Sequence, residues 1–191
     1  MRIVNLLLAV SICVVSCERQ EVKNADYFNV NELLDQQITL LSKSKTVVNK
    51  EANIDSLQEQ STFVPDSLGW ANELEVFRYL EVINKPIYQG VYEQVDQKDE
   101  HSNLKVRVLK AKADAPVREF KIYYRDTFDH LKKIEAEIEE KNSLYYSSRK
   151  LSLQFDDMLL SKYRISGVQK MILRDSVRYS IESKVLLNQI K

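Results

Sequence analysis

Glycine is scarce in this chain. Gly69, Gly90 and Gly167 are its three glycines among 191 residues. A phosphate-cradling loop needs glycines clustered at fixed spacing, so that kind of nucleotide site is excluded. Tight primed hairpin turns, which favour glycine, cannot be general either. Proline is equally rare, at three residues. Histidine and cysteine number two each: His101, His130, Cys13 and Cys17. No H-x-x-x-H or H-E-x-x-H spacing occurs, and zinc normally takes Cys and His ligands at recognisable spacings. Both histidines read as surface residues, and neither a metal nor another cofactor is expected. Charge of one sign is lacking too: 28 basic residues balance 28 acidic ones. Nucleic-acid binding usually leaves a strongly basic patch, so no nucleic-acid partner is expected. A G-x-S-x-G elbow is absent, and no nucleophile is seen paired with a base.

A long hydrophobic run is missing as well. Ile3 to Val15 is mostly apolar but is broken by Asn5 and Ser11. Thirteen helical residues cover roughly 20 Å, whereas a bilayer core is about 30 Å thick. A single basic residue, Arg2, a short apolar run and a small residue before a cut describe a secretory signal peptide. The exit is more specific. Val14-Val15-Ser16-Cys17 resembles the bacterial lipobox, with Val14 where leucine is more usual. That resemblance implies cleavage between Ser16 and Cys17 and lipidation of the Cys17 thiol. Two or more acyl chains would hold the chain stably on a membrane. Cys13 would leave with the signal, and the remaining cysteine would be blocked. Disulfides and thiol catalysis are then excluded, although the compartment would allow disulfides. Loss of Arg2 would leave the mature chain one acidic residue in excess.

Residues 1–16 are thus read as the signal peptide and 17–29 as the lipidated N-terminus with a polar tether. Residues 30–191 are read as a single α+β domain. Asn31 is the expected cap of a helix over VNELLDQQITLLSKS, where Leu34, Ile38 and Leu41 recur at i, i+4, i+7. Lys45 to Phe63 reads either as two short strands around Glu51-Ala52-Asn53 or as a loop with one strand. Asp66 or Ser67 then caps a second helix over SLGWANELEVFRYLEV, which Asn84-Lys85-Pro86 ends. Its anchors are Trp70, Leu74 and Phe77, with Leu80 completing the stripe.

From Tyr88 onward the hydrophobic period becomes two. YQGVYEQV, NLKVRVLKAK, EFKIYYRD, SLYYSSRKLSLQF, KYRISGVQKMIL and VRYSIESKVL read as half-buried strands. LKKIEAEIEEK is rich in helix formers. Its apolar positions 134, 136 and 138 nevertheless fit period two better. The intervals leave no room for crossover helices, so the strands should be antiparallel. The expected fold is α+β: one or two N-terminal helices on a twisted antiparallel β-meander of about six or seven strands.

Candidate site residues are few. Asp96, Asp99, Glu100 and His101 are acidic-loop residues without the order of a calcium loop. Glu135, Glu137 and Glu139 project from one strand face and read as a wet face paired with lysines of a neighbouring strand. Tyrosine is abundant, at ten residues. Tyr88 and Tyr92 should share one strand face. Together with Tyr124 and Tyr146 they are the candidate contacts for an apolar ligand or partner, against the plainer reading that tyrosine simply favours sheets.

Several parts together resemble a group of small uncharacterised lipoproteins of Bacteroidota. The parts are the lipobox, Trp70-x-x-Glu73-Leu74-x-x-Phe77, Ile83-Asn84-Lys85-Pro86 and the closing run YRISGVQKMIL…RYSIESKV. The resemblance brings no activity, ligand or catalytic residue. It does imply residence at the outer membrane. Glu18-Arg19-Gln20-Glu21 matches a surface-export signal only in part, so the periplasmic face is the expected one. The resulting expectation is a membrane-anchored, non-enzymatic envelope lipoprotein that binds an apolar ligand or an envelope protein. The alternatives are a structural or assembly accessory docking through an edge strand and, last, a hydrolase.

Overall fold

The computed structural model describes residues 27–187. Ser16, Cys17 and most of the expected tether lie outside the described residues. Nine strands form one wholly antiparallel sheet. Strands β1 (Val47–Ile54) and β2 (Leu57–Phe63) come first, followed by β3 (Tyr92–Lys98), β4 (Lys105–Ala111) and β5 (Val117–Tyr124). Then come β6 (Leu131–Lys141), β7 (Tyr145–Asp156), β8 (Leu159–Met171) and β9 (Val177–Leu186). The spatial order is β2-β1-β9-β8-β7-β6-β5-β4-β3. The seven-strand run β3–β9 is the expected meander, and LKKIEAEIEEK is strand β6. Nine strands exceed the expected six or seven because β1 and β2 form a further hairpin that zips onto β9. Its turn falls at Asp55-Ser56, not around Glu51-Ala52-Asn53. Asp55 adopts a φ of +50°, a left-handed backbone that Asp tolerates better than most residues.

Two helices cover one face. α1 (Val30–Lys43) is capped by Asn29, not by the expected Asn31. Asn29 accepts the Glu32 N–H at 3.0 Å, and its side-chain amide donates to the Glu32 carboxylate at 3.1 Å, which holds the capping side chain in place. The next two N–H groups, of Val30 and Asn31, donate to the Glu81 carboxylate at 2.9 and 3.2 Å. That long-range partner fixes the helix start two residues earlier than the expected cap. α2 (Ser67–Arg78) is capped by Asp66, which accepts the Gly69 N–H at 2.7 Å. It stops at Arg78, and the chain continues to Asn84 as a tighter 3₁₀ helix before Pro86.

Burial explains the arrangement. Trp70, Leu74 and Phe77 are fully buried, as are Leu34 and Leu41 of α1. They meet Phe120, Ile122, Ile134, Leu153 and Tyr163 of the sheet in one continuous core. Buried Gln37 of α1 clamps the β7–β8 turn: its amide donates to the Met158 carbonyl at 2.9 Å and accepts the Leu160 N–H at 2.8 Å. Tyr27 and Phe28 also pack on the domain, Phe28 against Phe120 and Phe128. The polar tether expected to reach Asn29 therefore ends before Tyr27, because two aromatic rings find apolar partners there. In β8, Gly167 is required: a Cβ would stand 2.6 Å from the Ser148 carbonyl and 2.8 Å from the Tyr179 hydroxyl.

Candidate functional site

The four tyrosines singled out by sequence do not converge. Tyr88 lies in a short 3₁₀ helix, Pro86–Tyr88, so it cannot share a strand face with Tyr92. Tyr92 is buried at the start of β3, edge-on to Tyr27 with ring centres 5.6 Å apart. Burial, chiefly, pushes its phenol up to about 12. Tyr124 is buried with its ring 4.6 Å from that of Phe128. Tyr146 is half-buried at the start of β7, opposite Lys170. The acidic loop is also dispersed. Asp96 belongs to β3 and holds the Arg107 guanidinium through two hydrogen bonds of 2.7 Å. Asp99 accepts the Ser102 hydroxyl at 2.6 Å. Among the described residues, no group of three or more His, Cys, Asp or Glu side chains could hold a metal ion.

Among the described residues, the other face of the sheet carries a large collection of functional groups brought together by strand register. Side chains of β5–β9 alternate, and the set turned away from the helices is polar apart from Val168 and Leu186. Register places Glu135, Ser152, Arg164 and Glu182 in one row across β6, β7, β8 and β9. The adjacent row holds Glu119, Glu137, Lys150 and Ser166. Ser152 and Ser166 are short, whereas their neighbours are long. The result is a basin of about 430 Å³ over the middle of the sheet. Its lining includes five cationic side chains and three carboxylates.

These charges are interlocked. Lys121 meets Glu119 at 2.5 Å, Lys133 meets Glu135 at 2.6 Å and Lys150 meets Glu137 at 2.6 Å. Tyr123 donates its hydroxyl to Glu135 at 2.9 Å, and the Lys133 ammonium stands 5.2 Å from the centre of the same ring. Burial first, then that hydrogen bond, raises the Tyr123 phenol above its ordinary range. At the β9 rim, Glu182 accepts from Lys162 at 2.6 Å and also pairs with Arg164. Lys162 first and Arg164 second hold its carboxyl down at about 2.

The sign of that shift sets an acid response. A carboxyl depressed in the folded state contributes stability above its unfolded value of about 4.3, and the contribution is lost as pH falls toward 2. Glu182→Gln should therefore flatten the decline in stability between about pH 5 and 2. Urea titrations of both proteins across that window check it, and parallel declines would contradict the pairing.

Sequence reasoning reads Glu135, Glu137 and Glu139 as a wet face paired with lysines of a neighbouring strand, and of the three Glu137 does pair with a lysine of the next strand. Glu135 instead pairs within its own strand. Ser152, Lys162, Arg164 and Glu182 were not singled out, because only the register of β7, β8 and β9 brings them to the basin. Comparison with protein-family models gives no match to this sequence, and comparison with curated proteins gives none either.

Proposed function

We propose that this chain is a membrane-anchored envelope lipoprotein, held by lipid on Cys17, that binds a polar, acid-bearing ligand or partner segment on its open sheet face without catalysing a reaction. The basin over Ser152 carries this reading. Its five cations face three lining carboxylates and Glu182 at the rim, and its short serines leave room among long side chains. The anchor half of the reading rests on Val14-Val15-Ser16-Cys17. The open face supports a polar occupant in place of an apolar one: the tyrosines expected to contact an apolar ligand are dispersed. Ala136 and Leu151 line the basin, but both are buried members of the core on the helix side. Each lining carboxylate is engaged by a lysine, an arrangement suited to exchanging ion pairs with a bound partner.

Two measurements test it. Cys17→Ala should move the protein out of the membrane fraction and abolish lipid labelling, and persistent attachment would overturn the anchor. A photo-cross-linking residue in place of Ser152 should give one discrete adduct in cells, and Arg164→Glu should remove that adduct. No adduct at position 152, with a discrete one from position 58 on edge strand β2, would move the binding surface to the sheet edge.

A further inference from the structure

In an antiparallel meander, alternate turns fall at one end. The turns β1–β2, β6–β7 and β8–β9 share an end, and backbone hydrogen bonds stitch them together. The Ile172 N–H donates to the Leu144 carbonyl at 2.9 Å, and the Asp55 N–H donates to the Arg178 carbonyl at 2.8 Å. These three turns are apolar where turns are ordinarily polar, whereas the β4–β5 turn at the same end, Lys112-Ala113-Asp114-Ala115-Pro116, is not. Leu173 is 98% exposed and Leu57 75% exposed. Ile54, Leu144, Met171 and Ile172 are exposed beside them.

Leu173 is the sharpest case. The Arg174 N–H donates to the Met171 carbonyl at 3.2 Å, closing a turn in which Leu173 has a φ of +59°. Glycine or asparagine normally occupies such a left-handed position. Leucine there strains the backbone and buries nothing within the domain.

Three further observations say what covers these tips. Four cations, Lys141, Lys170, Arg174 and Arg178, stand in or beside the same turns, against Asp55, Asp175 and, at the end of β6, Glu139 and Glu140, of which Glu140 is already engaged by Arg149. No ion pair among the described residues engages those four cations. The described chain also enters from this end. Tyr27 packs on Tyr92, the first residue of β3, and β3 begins at the same end as β7 and β9. The ten residues from Cys17 to Asp26 span at most about 35 Å when extended. The nine-strand sheet is roughly 38 Å wide at about 4.8 Å per strand step. A lipid on Cys17 therefore keeps the tips within reach of the same bilayer.

We propose that the tips of these three hairpins insert into the head-group layer of an anionic membrane, with Leu173 deepest and the four cations on lipid phosphates. The domain then stands on the bilayer by its hairpin end, and the polar basin faces sideways along the membrane. This rests on the anchor reading for the choice of a lipid surface, so the test separates the two.

The full chain is reconstituted in vesicles of phosphatidylethanolamine and phosphatidylglycerol. Leu173→Cys carries an environment-sensitive dye, and Val64→Cys, at the opposite end, is the control. Nitroxide-bearing lipids should quench most of the emission from position 173 and leave position 64 unchanged. Equal, unquenched emission from a protein that floats with the vesicles overturns the insertion and leaves the anchor standing. A blue shift at 173 without nitroxide quenching means protein covers the tips, and also overturns it. Failure to float overturns both readings. Quenching at 173 while mass spectrometry finds no lipid on Cys17 supports the insertion and sinks the anchor.

Discussion

Phe77→Ala should lower folding stability by about 3–5 kcal/mol, the range for removing a fully buried aromatic ring. Phe77 has no exposed surface, and its ring meets Tyr163 of β8 edge-on, with centroids 6.1 Å apart. The side chain sits where α2 is pressed on the middle of the sheet, so neighbours on both sides would have to move to fill the void. Domains of this size are stable by about 5–15 kcal/mol, so the loss takes a large share of the total. Leu68→Ala is the matched comparison on the same helix. Leu68 is 69% exposed, and its truncation should change stability by no more than about 0.5 kcal/mol. Chemical denaturation of both variants checks the pair. Equal effects would mean that α2 does not press its Phe77 face on β8.

The contrast between those two residues shows what the sequence carried clearly. Trp70, Leu74 and Phe77 recur at helical spacing, and all three are buried. Ile134, Ala136 and Ile138 alternate with glutamates, and alternation outweighed the helix-forming tendency of Glu and Lys because one face of β6 is buried. β1 and β2 were ambiguous for the opposite reason. From Leu57 to Thr62 every residue is exposed, so burial imprints no period on them. Pairing with β9 holds that hairpin, and such long-range contacts leave little local mark in a sequence.

The site was less legible than the fold. Tyr92 and Tyr124 were candidates for ligand contact because a tyrosine on a strand suits either an exposed face or a core. The helices choose between those possibilities, and they bury both rings. The basin depends on which residues face each other across three strand pairs. A one-residue slip in β7 or β8 would turn Ser152 or Arg164 to the core side. What the sequence does show is the list of polar positions. Their grouping into rows, with serines in the middle and charges around them, comes from the register alone.

Glu73→Ala should be the other large loss, about 2–4 kcal/mol. Glu73 sits on α2 within the Trp70-x-x-Glu73-Leu74-x-x-Phe77 segment. Both of its oxygens accept from Lys50 of β1, at 3.0 and 2.8 Å, and it also accepts the Tyr163 hydroxyl. One carboxylate thus ties the helix to the two sides of β9, through β1 and β8. Removing one member of a fully buried ion pair costs about 3–5 kcal/mol because the partner charge is left unpaired. Lys50 keeps 27% of its side chain in water, which lowers the expected figure. Tyr163→Phe should cost less, about 1–3 kcal/mol, since Glu73 keeps Lys50 and loses one charge-assisted hydrogen bond. The double variant should cost less than the sum, with a coupling of about 1–2 kcal/mol. Alkali supplies an independent readout. Burial first, then the Glu73 carboxylate, holds the Tyr163 phenol above its ordinary range. The stability gained from keeping that phenol neutral is complete below about pH 10 and is lost as pH rises beyond it. Stability of the wild-type domain should therefore fall above about pH 10, and Tyr163→Phe should make that fall shallower. Identical alkaline slopes, with no coupling in the double variant, would mean that Glu73 and Tyr163 do not meet across the helix–sheet interface.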